Sequence, residues 1–234
     1  MGLFDFFKKK PEPPQASVPQ VQDAVPQYQL LPVDAVQIHK APLVQGNIKA
    51  LKSDCYVLHF ETTGTFALGD PSNKFTNMIT AIKCARFRDM QMVDSFFSLV
   101  NPGRQISEKA AEASGINNQM VVSAPTIEQV FPQFMSFFHD ALNGTLVLAY
   151  NEEFNSDFLK ITMRRQMIPG DIRMLDVMKL ADKKLLTQNY PTIKQAMKAA
   201  KIKDRELNAD IHKCQAVASI AFALVDVPDN SVEV

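Results

Sequence analysis

From about Lys52 onward the chain is punctuated by short apolar runs bounded by turn residues. Cys55–Glu61, Met78–Phe87 and Met90–Val100 each have the length of a strand, and Arg88-Asp89 joins the second to the third, which predicts a three-stranded meander. After Pro102-Gly103 the texture changes. Ser107–Ser114 is rich in Ala and Glu and stops at Gly115, while Thr126–Leu142 carries Ile127, Val130, Phe131, Phe134, Phe137 and Phe138 at helical spacing and stops at Asn143-Gly144. Thr145–Tyr150 reads as a fourth strand, Glu153–Gln166 as a helix and Ile172–Leu175 as a short fifth strand. Helices near Thr192–Ala200 and Asn208–Val225 close the pattern. Strands in a meander followed by strand–helix alternation predict an α/β domain with a mixed five-stranded sheet flanked by helices. The phenylalanine stripe then reads as the core face of its helix, not as a contact surface.

The first fifty residues break this pattern. Five prolines between Pro11 and Pro26 deny the backbone regular hydrogen bonding, and the interspersed Gln and Ser supply no core. The expected division is a tip and Pro/Gln-rich linker over 1–50, mostly disordered, a compact domain over 51–227, and a disordered tail over 228–234. At the tip, Leu3, Phe4, Phe6 and Phe7 precede Lys8, Lys9 and Lys10, a combination suited to shallow contact with an anionic membrane or to docking in a protein partner's groove. Gln27–Pro32, QYQLLP, is a second candidate docking peptide.

Composition narrows the classes. Apolar residues make up 46% of the 234, enough to fill a core, so the chain as a whole is not disordered. Lys plus Arg and Asp plus Glu balance at 25 each, so no global positive field marks nucleic acid, although a neutral total can contain a local basic groove. Cys55, Cys84 and Cys214 show no CxxC spacing, which argues against a disulfide framework or structural zinc and fits a reducing cytoplasm. No apolar run reaches the roughly 18 residues of a membrane span, and no signal peptide is expected.

Three motifs carry the chemistry. The first is His59-Phe60-Glu61-Thr62-Thr63-Gly64. It is followed by Leu99-Val100-Asn101-Pro102-Gly103-Arg104, with Gly115, Ile116 and Met120 beyond it, and then by Ala149-Tyr150-Asn151-Glu152-Glu153-Phe154-Asn155-Ser156-Asp157-Phe158-Leu159. In order and content these segments resemble the DnaQ-like (DEDDh) 3′–5′ exonuclease family, the proofreading domains of bacterial replicative polymerases and of the polymerase III epsilon subunit. The resemblance runs from Tyr56 to Val225 and implies a ribonuclease-H-like fold. It also implies two divalent ions held by four carboxylates, with a histidine as general base.

Almost every implied site position has changed. His59 stands where the family has its first Asp, Asn155 where it has the second-motif Asp, Asn208 at the base and Lys213 at the last acid; only Glu61 is retained. Magnesium prefers hard anionic oxygens, so an imidazole, an amide and an ammonium beside one carboxylate make a poor site, and Lys213 is expected to take over the metal's electrostatic role by pairing with Glu61. The resemblance therefore implies a non-catalytic member, with no metal cofactor, acting as a nucleic-acid-binding or protein-interaction module. Thr62, Thr63 and Asn151 stand where relatives grip a terminal nucleotide of a single-stranded or 3′-ended nucleic acid. The alternative is an active 3′–5′ exonuclease with an altered metal site using magnesium or manganese, in which Asp210 and His212, three before Lys213 and four after Asn208 on a helix, replace the lost ligands. Asp157, two residues beyond Asn155, points to another helical face.

Overall fold

The computed structural model describes residues 29–67, 76–185, 189–203, 206–207 and 210–228. The strands are β1 (Val36–Lys40), β2 (Asp54–Thr62), β3 (Ile79–Arg88), β4 (Gln91–Leu99), β5 (Leu146–Ala149) and β6 (Gly170–Asp176). The helices are α1 (Gln45–Ser53), α2 (Glu108–Ser114), α3 (Asn118–Val121), α4 (Ile127–Phe137), α5 (His139–Leu142), α6 (Glu152–Arg165), α7 (Val177–Leu185), α8 (Ile193–Ala199) and α9 (His212–Leu224). The sheet runs β1-β6-β5-β2-β3-β4: β1, β6, β5 and β2 are parallel to one another, and β2, β3 and β4 are the predicted antiparallel meander.

Strand β2 is central, and its two faces feed two separate cores. Cys55 and Val57 pack with β3, β5 and helices α7, α8 and α9. Tyr56, Leu58 and Phe60 pack on the other side against α4 and α6. A strand covered on both faces reads as a continuous apolar run instead of an alternation, which is how Cys55–Phe60 is written. The phenylalanine stripe of α4 is core, as its spacing predicts: Phe131, Phe134 and Phe138 are fully buried, and Phe134 and Phe138 stack with centroids 4.9 Å apart.

Two expectations are corrected. Among the described residues the sheet has six strands, not five, and the folded domain takes in residues 29–50, which the sequence pattern assigns to linker. Val36 of β1 is fully buried in the α4/α6 core, and Ala41 N donates to Met174 O at 2.7 Å. Leu31, within the QYQLLP segment, is held to α6 of its own domain: Leu31 N donates to Arg164 O at 3.1 Å and Arg164 Nε donates to Leu31 O at 2.8 Å. The strand was hidden because an edge strand buries little, and Gln37, His39 and Lys40 lie between flanking prolines. The tip over 1–10 and the tail beyond 228 lie outside the described residues. No helix among the described residues is long and apolar enough to cross a membrane.

Val36→Asp puts a carboxylate into this core and is expected to lower unfolding stability by at least about 3 kcal/mol. Urea denaturation checks this, since a linker residue at that position would leave the midpoint unchanged.

Candidate functional site

Strand β2 ends in a polar stretch. Glu61 projects from the face that carries Cys55, Val57 and His59, and its carboxylate is almost wholly buried. Three side chains converge on its Oε1 atom. Lys213, in the first turn of α9, places Nζ at 2.6 Å; Lys83 of β3 places Nζ at 3.2 Å; His59 Nε2 lies at 3.4 Å. Pairing in the sheet brings Lys83 there, because β2 and β3 align His59 with Lys83 and Glu61 with Ala81. Both ammonium groups are nearly as buried as the carboxylate.

The electrostatics follow from this packing. Burial pushes the Glu61 carboxyl up, but His59 and the Lys213 ammonium outweigh it and hold the group down at about 2. Burial is also the largest influence on His59 and, with Lys213 and Lys83, lowers its pKa against the pull of Glu61. Neither ring nitrogen of His59 has a hydrogen-bond partner among the described residues. One carboxylate and two ammonium groups, Glu61, Lys83 and Lys213, carry a formal charge of +1 between them.

Asn155, at the second-motif position, is fully buried and fully used. Its Oδ1 accepts from Phe60 N at 3.0 Å, and its Nδ2 donates to the carbonyls of Tyr150 at 3.1 Å and Asn151 at 3.0 Å. It thereby ties β2 to the start of α6. A carboxylate could accept the first of these bonds but could not donate the other two. The change from the family's acid is thus built into the backbone geometry.

The threonines also hold local structure. Thr62 Oγ1 donates to Gly64 O at 2.6 Å, and Thr63 Oγ1 accepts from Met78 N at 3.0 Å. A Cβ at Gly64 would meet Asn77 Oδ1 at 2.3 Å, so a larger residue there would displace the Asn77 side chain. The cavity above them, of about 410 Å³, is lined by His59, Glu61, Thr62, Thr63, Phe154 and Lys213, with Ser107 and exposed Lys109 at its α2 wall. Asn151 is not part of that lining. It adopts a left-handed conformation (φ 61°) and caps α6, accepting from Phe154 N at 3.3 Å.

Asp210, His212 and Asp157 do not join the cluster. Helix α9 begins at His212, so Asp210 lies in the preceding turn and the helical spacing that would have turned it toward the site does not apply. Asp210 is exposed, and His212 Nδ1 donates to Glu206 O at 2.9 Å. Asp157 is exposed on α6. Asn208 lies outside the described residues. Lys83 is the site residue the motifs do not single out: only the strand register shows that it meets Glu61.

The residues present do not fit a two-metal centre. No group of three or more His, Cys, Asp or Glu side chains among the described residues could hold a metal ion. The single carboxylate is already bonded to an ammonium, and the amide is spent on backbone. A divalent cation about 4 Å from one ammonium would meet roughly 8 kcal/mol of repulsion at an effective dielectric near 20.

Comparison with known proteins places this geometry in a lineage. The model of the RNase T exonuclease family matches residues 57–213, from the middle of β2 to Lys213. The chain belongs to this exonuclease family. Among related sequences, the PolC-type DNA polymerase III of Thermotoga petrophila is 28% identical over 182 residues, covering 74% of this chain but 12% of that polymerase. The PolC-type enzyme of Caldanaerobacter subterraneus subsp. tengcongensis is 30% identical over 141 residues, covering 60% of this chain and 9% of its own. This chain thus spans a small part of the curated relatives it matches. Solved structures share the fold: exonuclease X in complex with 5′-overhanging duplex DNA (TM-score 0.52, 21% identity, 74% of this chain and 90% of that one) and the nuclease domain of 3′hExo, a DEDDh member bound to rAMP (TM-score 0.53, 17% identity, 73% and 90%). The ribonuclease-H-like, DnaQ-type exonuclease fold is therefore established for this chain.

Two outcomes test the site of this exonuclease-family domain. Asn155→Asp loses two donated hydrogen bonds in a dry environment and is expected to cost about 2–5 kcal/mol, read from chemical denaturation. Glu61 has a folded pKa depressed from 4.5 to about 2, so its stabilisation is complete above pH 4.5 and is lost as pH falls toward 2, by up to about 3 kcal/mol. Glu61→Gln should flatten that part of the stability–pH curve, and an unchanged slope would contradict the assignment.

Proposed function

We propose that this domain binds the 3′ end of single-stranded nucleic acid in the β2/α9 cleft and does not hydrolyse it. The observation that carries this reading is the contact of Lys213 Nζ with Glu61 Oε1 at 2.6 Å, where the family resemblance puts a metal-binding acid. With Lys83 on the same carboxylate, the pocket holds its positive charge in side chains that cannot activate a water molecule as a bound metal hydroxide does. What remains is suited to capture. A cavity of about 410 Å³ is large enough for a terminal nucleotide, Phe154 offers an aromatic wall for a base, and Lys213 and Lys109 offer cations to phosphate. Exonuclease X and 3′hExo, which share the fold, have been captured with DNA and with a nucleotide respectively, in accord with a nucleic-acid ligand.

The competing reading is an active 3′–5′ exonuclease with an altered metal site. It draws on the ionised Glu61 and on the unpartnered nitrogens of His59, which sit side by side at the cavity wall. A 3′-labelled single strand incubated with magnesium or with manganese separates the two. No shortening is expected in either metal, together with salt-sensitive binding that persists in EDTA and weakens about tenfold in Lys109→Glu, an exposed position where folding is not at stake. Shortening that disappears in Glu61→Ala would establish the active reading, and absence of binding at low salt would overturn the capture role.

A further inference from the structure

The carboxyl ends of β5 and β6 border a second crevice. These strands pair in parallel, Ala149 beside Asp176, and the helices that follow them leave toward opposite faces of the sheet: α6 packs Phe158, Leu159 and Met163 into one core, and α7 packs Val177, Leu180 and Ala181 into the other. Where neighbouring parallel strands send their helices to opposite faces, a gap is left beyond the strand ends, and α/β sheets hold small ligands in such gaps. Here the gap is a cavity of about 420 Å³, lined also by Lys40 at the end of β1. It shares no lining residue with the cavity above Glu61.

Two buried carboxylates line this crevice, and each has one oxygen without a hydrogen-bond partner. Glu152, the first residue of α6, is 2% exposed; Lys40 Nζ hangs 3.8 Å from its orphaned Oε2, on a side chain that is 63% exposed. Asp176 ends β6. Its Oδ1 accepts from Met178 N at 2.9 Å and Lys179 N at 3.3 Å, while its orphaned Oδ2 has Lys179 Nζ no nearer than 4.0 Å. Burial raises the pKa of the Glu152 carboxyl, Lys40 opposes the rise and the Asp176 charge adds to it, so Glu152 lacks the close cations that compensate Glu61. Buried polar atoms are normally satisfied, and two orphaned acceptors in one cavity point to an absent donor.

We infer that this crevice binds a free guanine nucleotide, its base edge on Glu152 and Asp176 and its phosphate on the lysines at the mouth. An ionised carboxylate only accepts hydrogen bonds, so the inner end of the occupant has to donate them. Lys40, Lys179 and Lys183 are exposed around the opening, so the outer end has to be anionic, and Leu43, Met174 and Leu180 offer an apolar wall to a flat body between the two. Guanine sets two N–H donors side by side, N1–H and the N2 amino group. Adenine and cytosine instead place a ring acceptor beside their amino group, and that lone pair would face the carboxylates. Entry of the nucleotide moves the Lys40 ammonium from Glu152, to which it makes no hydrogen bond, to the phosphate.

Isothermal titration of the full-length chain with GMP is expected to show binding at least about tenfold tighter than AMP or CMP, the margin that charge-assisted hydrogen bonds supply. Glu152→Gln preserves the shape of the side chain but turns an acceptor into a donor, and should weaken GMP by about tenfold or more. Lys179→Ala, at an exposed position where folding is not at stake, should weaken GMP and leave guanosine unchanged. Saturating oligothymidine, which carries no guanine, should fail to displace GMP. No GMP binding at millimolar concentration, equal binding of AMP, undiminished GMP binding in Glu152→Gln, or displacement by oligothymidine would each overturn the inference. A TGT trinucleotide that binds more tightly than GMP would overturn the assignment to a free nucleotide and place a guanine of a strand in the crevice.

Discussion

A carboxylate buried at the end of the central strand has to be compensated, and the site is organised around that constraint. Glu61 lies at the end of β2, whose preceding residues are packed on both faces, and its carboxylate is almost wholly buried where it lines the cleft. An ionised carboxylate in such a place costs several kcal/mol unless cations reach it. Two do, one from the neighbouring strand and one from the last helix, and they reach the same oxygen. The sheet register and the docking of α9 are thereby coupled through one atom. A metal ion could perform that coupling in a site rich in acids; here lysines perform it and need no ligand exchange.

The second constraint is the join between β2 and α6. The β5–α6 turn passes through a left-handed asparagine, Asn151, and the carbonyls of Tyr150 and Asn151 accept from the Asn155 side chain. One amide satisfies two carbonyls and one strand N–H, something no other side chain of that size can do. The position is therefore occupied for structural reasons, and an acid introduced there would lose both donated bonds.

Much of this was legible in the chain, and what was not has identifiable causes. The meander and the phenylalanine helix follow from local pattern, because their residues are neighbours in sequence and in space; the pairing of Lys213 with Glu61, 152 residues apart, follows from aligning motifs with the family the chain resembles. Lys83 could not be read as a participant, since strand register is a long-range property that the β2–β3 connection does not encode. Strand β1 escaped notice because an edge strand in parallel pairing buries one face only, and Val36 and Ile38 are too few to rise above the prolines around them. Asp210 was misplaced by a helix start set four residues too early. At an end that lacks a capping side chain, sequence offers no marker for the first turn.

The lysine substitutions also change the kind of ligand the cleft favours. A two-metal site holds its positive charge in ions that ride on a ring of acids, so the protein alone repels phosphate and becomes attractive only when loaded. On the proposed capture reading, with ammonium groups in place of ions, the attraction would belong to the chain itself and would be independent of divalent cation concentration. It is also weaker per site, because a monovalent ammonium already bonded to Glu61 offers a phosphate less than a divalent ion would.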